Sequence, residues 1–259
     1  MGVKGLFQFL RRFEKDVSIA EYCKERAVGV DIFWFLHQSK GDFFALQNML
    51  LGIIKNSATV HCVFDGAPPP EKWGELKALA ERRAEIHSTI DRIEAFIRFP
   101  FTRLNGEARA TIREYLAELR REAWTPSPEY INLAKNWLTS KNCHIYQAVG
   151  EADNLLVELE QQGIIEAIIT NDSDLLVLGG KMILRPKNPL RASLFDRELI
   201  CVNMGFTAQQ WSDFMYLCRY LKCDDVGIAY SFVSVYKDLD LVLQKYYTLY
   251  NECLIEEVC

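Results

Sequence analysis

Hydrophobic residues along this chain gather into short dense runs, and the runs end on acids. In Ile165–Gly180, IEAIITNDSDLLVLGG, the residues Ile165, Ala167, Ile168 and Ile169 make a nearly unbroken apolar stretch, followed by Asp172 and Asp174 and then by Leu175, Leu176, Val177 and Leu178. Such a run suits a parallel strand covered on both faces. Its acids then stand at a carboxyl-terminal strand edge, where open α/β sheets place ligands. Ala27–Leu36, AVGVDIFWFL, predicts a strand ending on Asp31 and then an aromatic-rich helix whose Phe33, Trp34 and Phe35 are expected in the core. Thr59–Gly66, TVHCVFDG, predicts a third strand ending on Asp65, ahead of Gly66 and the helix-blocking Pro68, Pro69 and Pro70. A helix over Pro128–Thr139 leads to a strand at Cys143–Tyr146, after which Glu151 and Asp153 precede an amphipathic helix, Asn154–Gln162.

The remaining pattern is shorter or helical. Leu6, Phe9, Leu10 and Phe13 share one face of a short docking helix, with Lys4, Arg11 and Arg12 off it. Met182–Arg185 and Leu194–Phe195 read as short strands around a basic loop with Arg185, Lys187 and Arg191, and Thr207–Cys259 is helical in period. Glu71–Arg98 is a charged helical stretch in which Lys72, Leu76, Leu79 and Arg83 share a face. Phe99-Pro100-Phe101 and Asn105-Gly106 break it from a second helix.

Charge changes the picture locally. The 259-residue chain is 49% hydrophobic and 25% charged, with a net charge of −5, so no global basic field points to nucleic acid. Yet from Lys72 to Arg121 there are 11 Lys or Arg against 8 Asp or Glu, with Phe96, Phe99 and Phe101 interleaved among Arg98 and Arg103. Arg82, Arg83, Arg98 and Arg103 are thus candidate nucleic-acid contacts, although a solvated helix surface has the same composition. The 8 cysteines are scattered and only 4 histidines accompany them, which disfavours a zinc site and suits free thiols in a reducing compartment. No signal peptide is evident, and no apolar run approaches the roughly 20 residues of a membrane span. Met1-Gly2 lacks the Ser or Thr at position 6 that myristoylation wants, Leu6 standing there instead.

One acid after a strand is an ordinary helix cap. Independent caps explain poorly why Asp31, Asp65, Glu151, Asp153, Asp172 and Asp174 should all lie just past strands of one sheet, where they would converge on one edge. So many carboxylates repel one another unless divalent cations neutralise them, and oxygen-only ligands select Mg²⁺ or Mn²⁺. Two such ions roughly 4 Å apart can activate water and stabilise the leaving oxygen in phosphodiester cleavage.

The opening MGVKGL, the block VFDGAPPPEKWGELKALAERR, GEAD at 150–153 and TNDSDLL at 170–176 resemble the flap endonuclease family of structure-specific 5′ nucleases, in that family's order over about residues 1–235. A divergent or viral member fits this short chain. The resemblance implies an α/β fold, a mainly parallel central sheet flanked by helices (the PIN-like 5′ nuclease fold). It implies a single nuclease domain over 1–259, with a helical arch insertion at about 71–125 and a helical hairpin region within about 207–259. Asp31, Asp65, Glu151 and Asp153 would serve one Mg²⁺, and Asp172 and Asp174 the other, with Mn²⁺ able to substitute. Lys72 would reach the scissile phosphate, and Gly2, as mature amino terminus, would lie near the site with Lys4 beside the nucleic acid.

The chain departs from the family pattern at four places. Leu79 stands where the arch helix carries a second basic residue, with Arg83 one turn on as a substitute. His37 replaces an aromatic that stacks on a base. The last family aspartate aligns with Leu221, leaving Asp224 or, preferably, Asp225 as the seventh ligand. Val226-Gly-Ile-Ala-Tyr230 lacks the lysine of the duplex-gripping turn. No sliding-clamp motif is found. The resulting expectation is a Mg²⁺-dependent nuclease acting as a monomer on DNA with a 5′ flap or junction, intracellular, in a nucleus or at a viral replication site in the cytoplasm. An RNA endonuclease on the same fold, or a catalytically weakened nucleic-acid-binding protein, is the alternative; phosphatase chemistry is disfavoured by Leu176 and the late position of the Asp pair.

Overall fold

The computed structural model describes residues 3–99, 105–220, 226–237, 240, 241 and 244. Gly2, Arg103 and Asp225, together with Asp224 and Leu221, lie outside the described residues. The amino terminus forms α1 (Leu6–Leu10), a 3₁₀ turn, β1 (Lys15–Ser18) and α2 (Ile19–Cys23). Next come β2 (Ala27–Asp31), α3 (Ile32–Ser39), α4 (Phe43–Asn56) and β3 (Thr59–Phe64). A second 3₁₀ turn, Pro70–Lys72, starts the long α5 (Trp73–Arg98), which pairs with α6 (Gly106–Ala123). Then follow α7 (Pro128–Ser140), β4 (His144–Gln147), α8 (Ala152–Gln161), β5 (Ala167–Ile169) and α9 (Asp174–Val177). The order closes with β6 (Met182–Pro186), β7 (Arg191–Asp196), α10 (Arg197–Met204), α11 (Ala208–Tyr220) and α12 (Val226–Tyr236).

The expected sheet is present, with strand order β1-β7-β6-β5-β2-β3-β4. β2 pairs in parallel with β5 and β3, and β5–β6 and β3–β4 are parallel too. β7 lies antiparallel between β6 and β1, so the sheet is mixed at one side. β1 carries no apolar alternation and escapes the hydrophobic pattern: its exposed Lys15 and Asp16 sit on the antiparallel margin, where one edge meets solvent.

Alternation along the strands feeds two cores. Val28, Val30, Val60, Cys62, Phe64, Ala167 and Ile169 face α3, α4 and α7, while Val63, Ile168, Ile183 and Phe195 face α1, α8 and the α9–α12 helices. The register brings the strand ends level. Val30 lies opposite Ile169 and Asp31 opposite Val63, so Asp31, Asp65 and the Asp172 turn all emerge at one edge.

The α5–α6 hairpin has a small core of its own, with Ile90, Leu116 and Leu119 buried among Ile86, Ile93, Ile97 and Ile112. Ion pairs lace its outside, Arg82 to Glu122 at 2.6 Å, Arg120 to Glu94 at 2.5 Å and Arg98 to Glu94 at 2.7 Å. Exposed pairs of this kind are worth up to about 1 kcal/mol each, so the isoleucine seam dominates. Among the described residues no helix is long and apolar enough to cross a membrane.

Candidate active site

Each acid is placed by an element the sequence dictates. Asp31 ends β2 and caps α3, its carboxylate accepting from the Trp34 amide at 3.4 Å and from the Thr170 hydroxyl at 2.9 Å. The capping role and the site role therefore coincide in one residue. Thr170 is completely buried just past β5 and accepts from the Asp172 amide at 3.0 Å, so its hydroxyl joins the two acid-bearing strand ends. Asp172 in turn accepts from the Asp174 amide at 3.0 Å. Asp65 accepts from the Ala152 amide at 2.8 Å, spanning from the β3 loop to the start of α8.

A backbone zip holds these two loops together. Phe64 accepts from Ala148 at 2.9 Å, Gly66 donates to Gly150 at 2.6 Å and Ala67 donates to Val149 at 3.1 Å. Gln147 adds side-chain donation to the Asp65 carbonyl. Asp65 is thereby fixed against Glu151 and Asp153.

Asp31, Asp65, Glu151, Asp153 and Asp172 line one cavity of about 610 Å³, with Lys72, Asn171 and Ser173. Asp174 is buried, 4.0 Å from the Arg219 guanidinium on α11. Lys72 forms an ion pair with Glu151 from the start of the α5 hairpin. Phe33, Trp34 and His37 form the aromatic wall. Phe35 is core as expected, and Phe33 and Trp34, half-buried, pack against that core and also line the cavity: α3 starts at its rim, and successive helical positions face different directions.

The electrostatics match this crowding. Burial, then the charge of Asp65, pushes the Asp31 carboxyl up to about 6. Burial, then Asp31, Asp172, Asp174 and Asp65, pushes Asp153 up to about 8. Asp65 and Asp174 are raised as well, chiefly by burial. Burial alone would lower Lys72, yet its bond to Glu151 and the surrounding carboxylates leave it raised, hence cationic. His37 is lowered by burial, then by Lys40 and Arg83, and so is held as a neutral ring.

Carboxyls with raised folded values bind protons that the unfolded chain has already lost. Their contribution is full below about 4 and is lost as pH rises through about 6 for Asp31 and about 8 for Asp153. Thermal melts in chelator should accordingly fall by several degrees between pH 5 and pH 8. A flat or rising melting temperature over that range would show that the carboxylates do not repel in this way.

Among the described residues, no three His, Cys, Asp or Glu side chains are drawn together as a ready shell for one ion. The donor set is all oxygen, and its mutual repulsion is what a divalent cation relieves.

The other expected contacts are placed as follows. Lys4 is exposed beside α1. Arg83 is close enough for its charge to act on His37, whereas Arg82 and Arg98 are held in ion pairs within the hairpin. Sequence reasoning missed Thr170, Gln147 and Arg219. A threonine between an apolar run and an acid was the one available signal, for Thr170.

The XPG I-region model matches residues 142–224, the stretch that carries Glu151, Asp153, Asp172 and Asp174. Exonuclease 1 of Xenopus laevis is 28% identical over 245 residues, covering 86% of this chain and 31% of its own length. Flap endonuclease 1 of Glossina morsitans morsitans is 27% identical over 252 residues, covering 92% of this chain. The chain spans 62% of that relative's length. Among solved structures, the catalytic core of Rad2 in complex with DNA substrate superposes with a TM-score of 0.66 at 16% identity, over 99% of this chain and 75% of the other. Sequence similarity along nearly the whole chain, the I-region match over the acid-bearing loops and the shared fold all point to the flap endonuclease/XPG family as what this chain resembles.

Proposed function

We propose that this protein is a Mg²⁺-dependent nuclease that hydrolyses phosphodiester bonds in DNA near single-strand to double-strand junctions. The observation that carries this reading is the cavity itself: five carboxylates at one sheet edge, faced by Lys72 in an ion pair with Glu151. Similarity to flap endonuclease 1 and the likeness to a DNA-bound Rad2 core support nucleic acid as the substrate. Asp31, Asp65, Glu151 and Asp153 would hold one ion, and Asp172 and Asp174 another, with Asp225 as a further ligand. Two such ions supply a water nucleophile at neutral pH and charge stabilisation on the leaving oxygen.

The chain's own residues do the rest. Thr170 and the zipped loops hold the carboxylates in register, so little reorganisation accompanies reaction. Lys72 offers its ammonium to the phosphate in place of Glu151. The α5–α6 hairpin would be the arch insertion, positioned to carry the unpaired strand past the cavity. Its surface ion pairs are weak enough for Arg82 and Arg98 to exchange a carboxylate for a phosphate. Gly2, Lys4, His37, Arg83 and Arg103 would complete the contacts to nucleic acid.

The test is cleavage of 5′-flap DNA, matched duplex DNA and single-stranded RNA with Mg²⁺, Mn²⁺ or EDTA, using wild type beside Lys72→Met. Flap DNA should be cut near the junction only with metal, and Lys72→Met should lower kcat by about 10² to 10³ with a smaller change in KM. Preferential cutting of RNA would transfer the assignment to an RNA endonuclease. Absence of any cleavage with binding intact would leave a nucleic-acid-binding protein.

A further inference from the structure

Helix α5 starts at the acidic cavity, because Lys72, the residue before it, lines that cavity. One contact fixes that start, the ion pair of Lys72 with Glu151 in the cavity, and eleven residues on Arg83 is near enough for its charge to disfavour the charged form of His37 in the aromatic wall. At about 100° per residue, Lys72, Leu76, Leu79 and Arg83 fall within one narrow stripe, and Trp73 flanks it. The hairpin core continues the same face further along the helix, from Ile86, Ile90, Ile93 and Ile97. Over its first three turns the stripe is consequently apolar in the middle and cationic at both ends.

Its central residues are open to solvent. Trp73 is 63% exposed, Leu76 40% and Leu79 44%. An indole left that open costs solvation, and this one is also oriented, its N–H donating to the Pro68 carbonyl at 3.3 Å in the loop that follows Asp65. Neighbouring Gly74 leaves the space beside the helix start empty.

We infer that Trp73 is a specificity-determining residue that stacks on an unpaired base of the strand lying between Lys72 and Arg83, with Leu76 and Leu79 packing beside it. The inference rests on the nuclease reading above. Its occupant is an unpaired nucleobase, because the two flanking cations, about 16 Å apart along the helix, suit phosphates two to three nucleotides apart and the indole, with its edge tied down, presents a face. Stacking is indifferent to base identity but requires that the base be unpaired, so it selects single strand over duplex. It also adds affinity without counterion release, leaving the salt dependence to Lys72 and Arg83.

The experiment is flap binding in EDTA, read by fluorescence anisotropy, for wild type, Trp73→Ala and Trp73→Phe, with an abasic site walked through the unpaired strand. Trp73→Ala should weaken flap binding about tenfold, the change that matches about 1.4 kcal/mol of stacking. Its affinity for fully paired duplex, its salt slope and its melting temperature should match wild type, and Trp73→Phe should restore most of the lost affinity. An abasic site at the stacked nucleotide should cost wild type about tenfold and Trp73→Ala nothing further. If wild type cuts flap DNA while Trp73→Ala binds it equally well, or the abasic penalty persists in Trp73→Ala, the stacking role is overturned and the nuclease reading stands. A wild type that neither binds nor cuts flap DNA overturns both.

Discussion

Replacing Asp172 and Asp174 together by Asn should reduce metal-dependent cleavage by at least about 10⁴-fold, a loss of some 5 kcal/mol of barrier reduction. Phosphodiester hydrolysis needs a barrier reduction near the top of the roughly 8 to 23 kcal/mol that enzymes supply, and the charge balance of the proposed second ion rests on this pair. The fold should survive. Asn at 172 can still accept from the residue 174 amide, and removing two negative charges relieves the repulsion that raises Asp153. Melting in chelator should accordingly be no lower than wild type, the usual trade between stability and a charged site. A double variant that keeps activity within tenfold would exclude these acids from the chemistry.

The second large effect is expected at Gly66. A Cβ there would stand 2.1 Å from the Ala148 carbonyl oxygen, 2.5 Å from that of Val149 and 2.7 Å from the Val149 carbonyl carbon. All three are backbone atoms of the neighbouring loop, itself tied by the Gly66–Gly150 and Ala67–Val149 hydrogen bonds, so neither side can yield cheaply. Gly66→Ala should cost about 3 kcal/mol or more in urea unfolding and should weaken Mg²⁺ binding as well, because the same zip sets Asp65 against Asp153. Gly74→Ala serves as the control: its Cβ meets nothing within 4 Å, and it should be neutral or slightly stabilising. Equal stability of the two variants would mean that the loops are not registered by close contact.

The parts of the molecule legible in sequence were those where one residue type has one physical solution. Buried parallel strands must be continuously apolar, so β2, β3 and β5 and the acids beyond them could be placed to within a residue or two. Pro68–Pro70 and Asn105 bracket the helical hairpin for equally local reasons. What stayed hidden depends on partners distant in sequence. β1 is a strand only because β7 lies beside it, and nothing in Lys15–Ser18 announces that. Phe33 and Trp34 are apolar enough for any core, and only the position of α3 at the cavity rim makes them its wall. Arg82 and Arg98 read as candidate phosphate contacts, and only the structure shows Glu122 and Glu94 paired with them.

The strand order has a consequence for how the protein is made. β2 and β3 leave the ribosome early, but the strand that belongs on the other side of β2 is β5, and Asp172 follows Asp31 by 141 residues. At about 5 to 20 residues per second, roughly 7 to 28 seconds of synthesis separate them. During that interval β2 presents an unpaired apolar edge, the kind of surface that invites wrong pairing and calls for chaperones. A chain interrupted anywhere before β5 carries Asp31 and Asp65 but neither Asp172 nor Asp174, so on the nuclease reading proposed above an unfinished copy would lack the second pair of carboxylates.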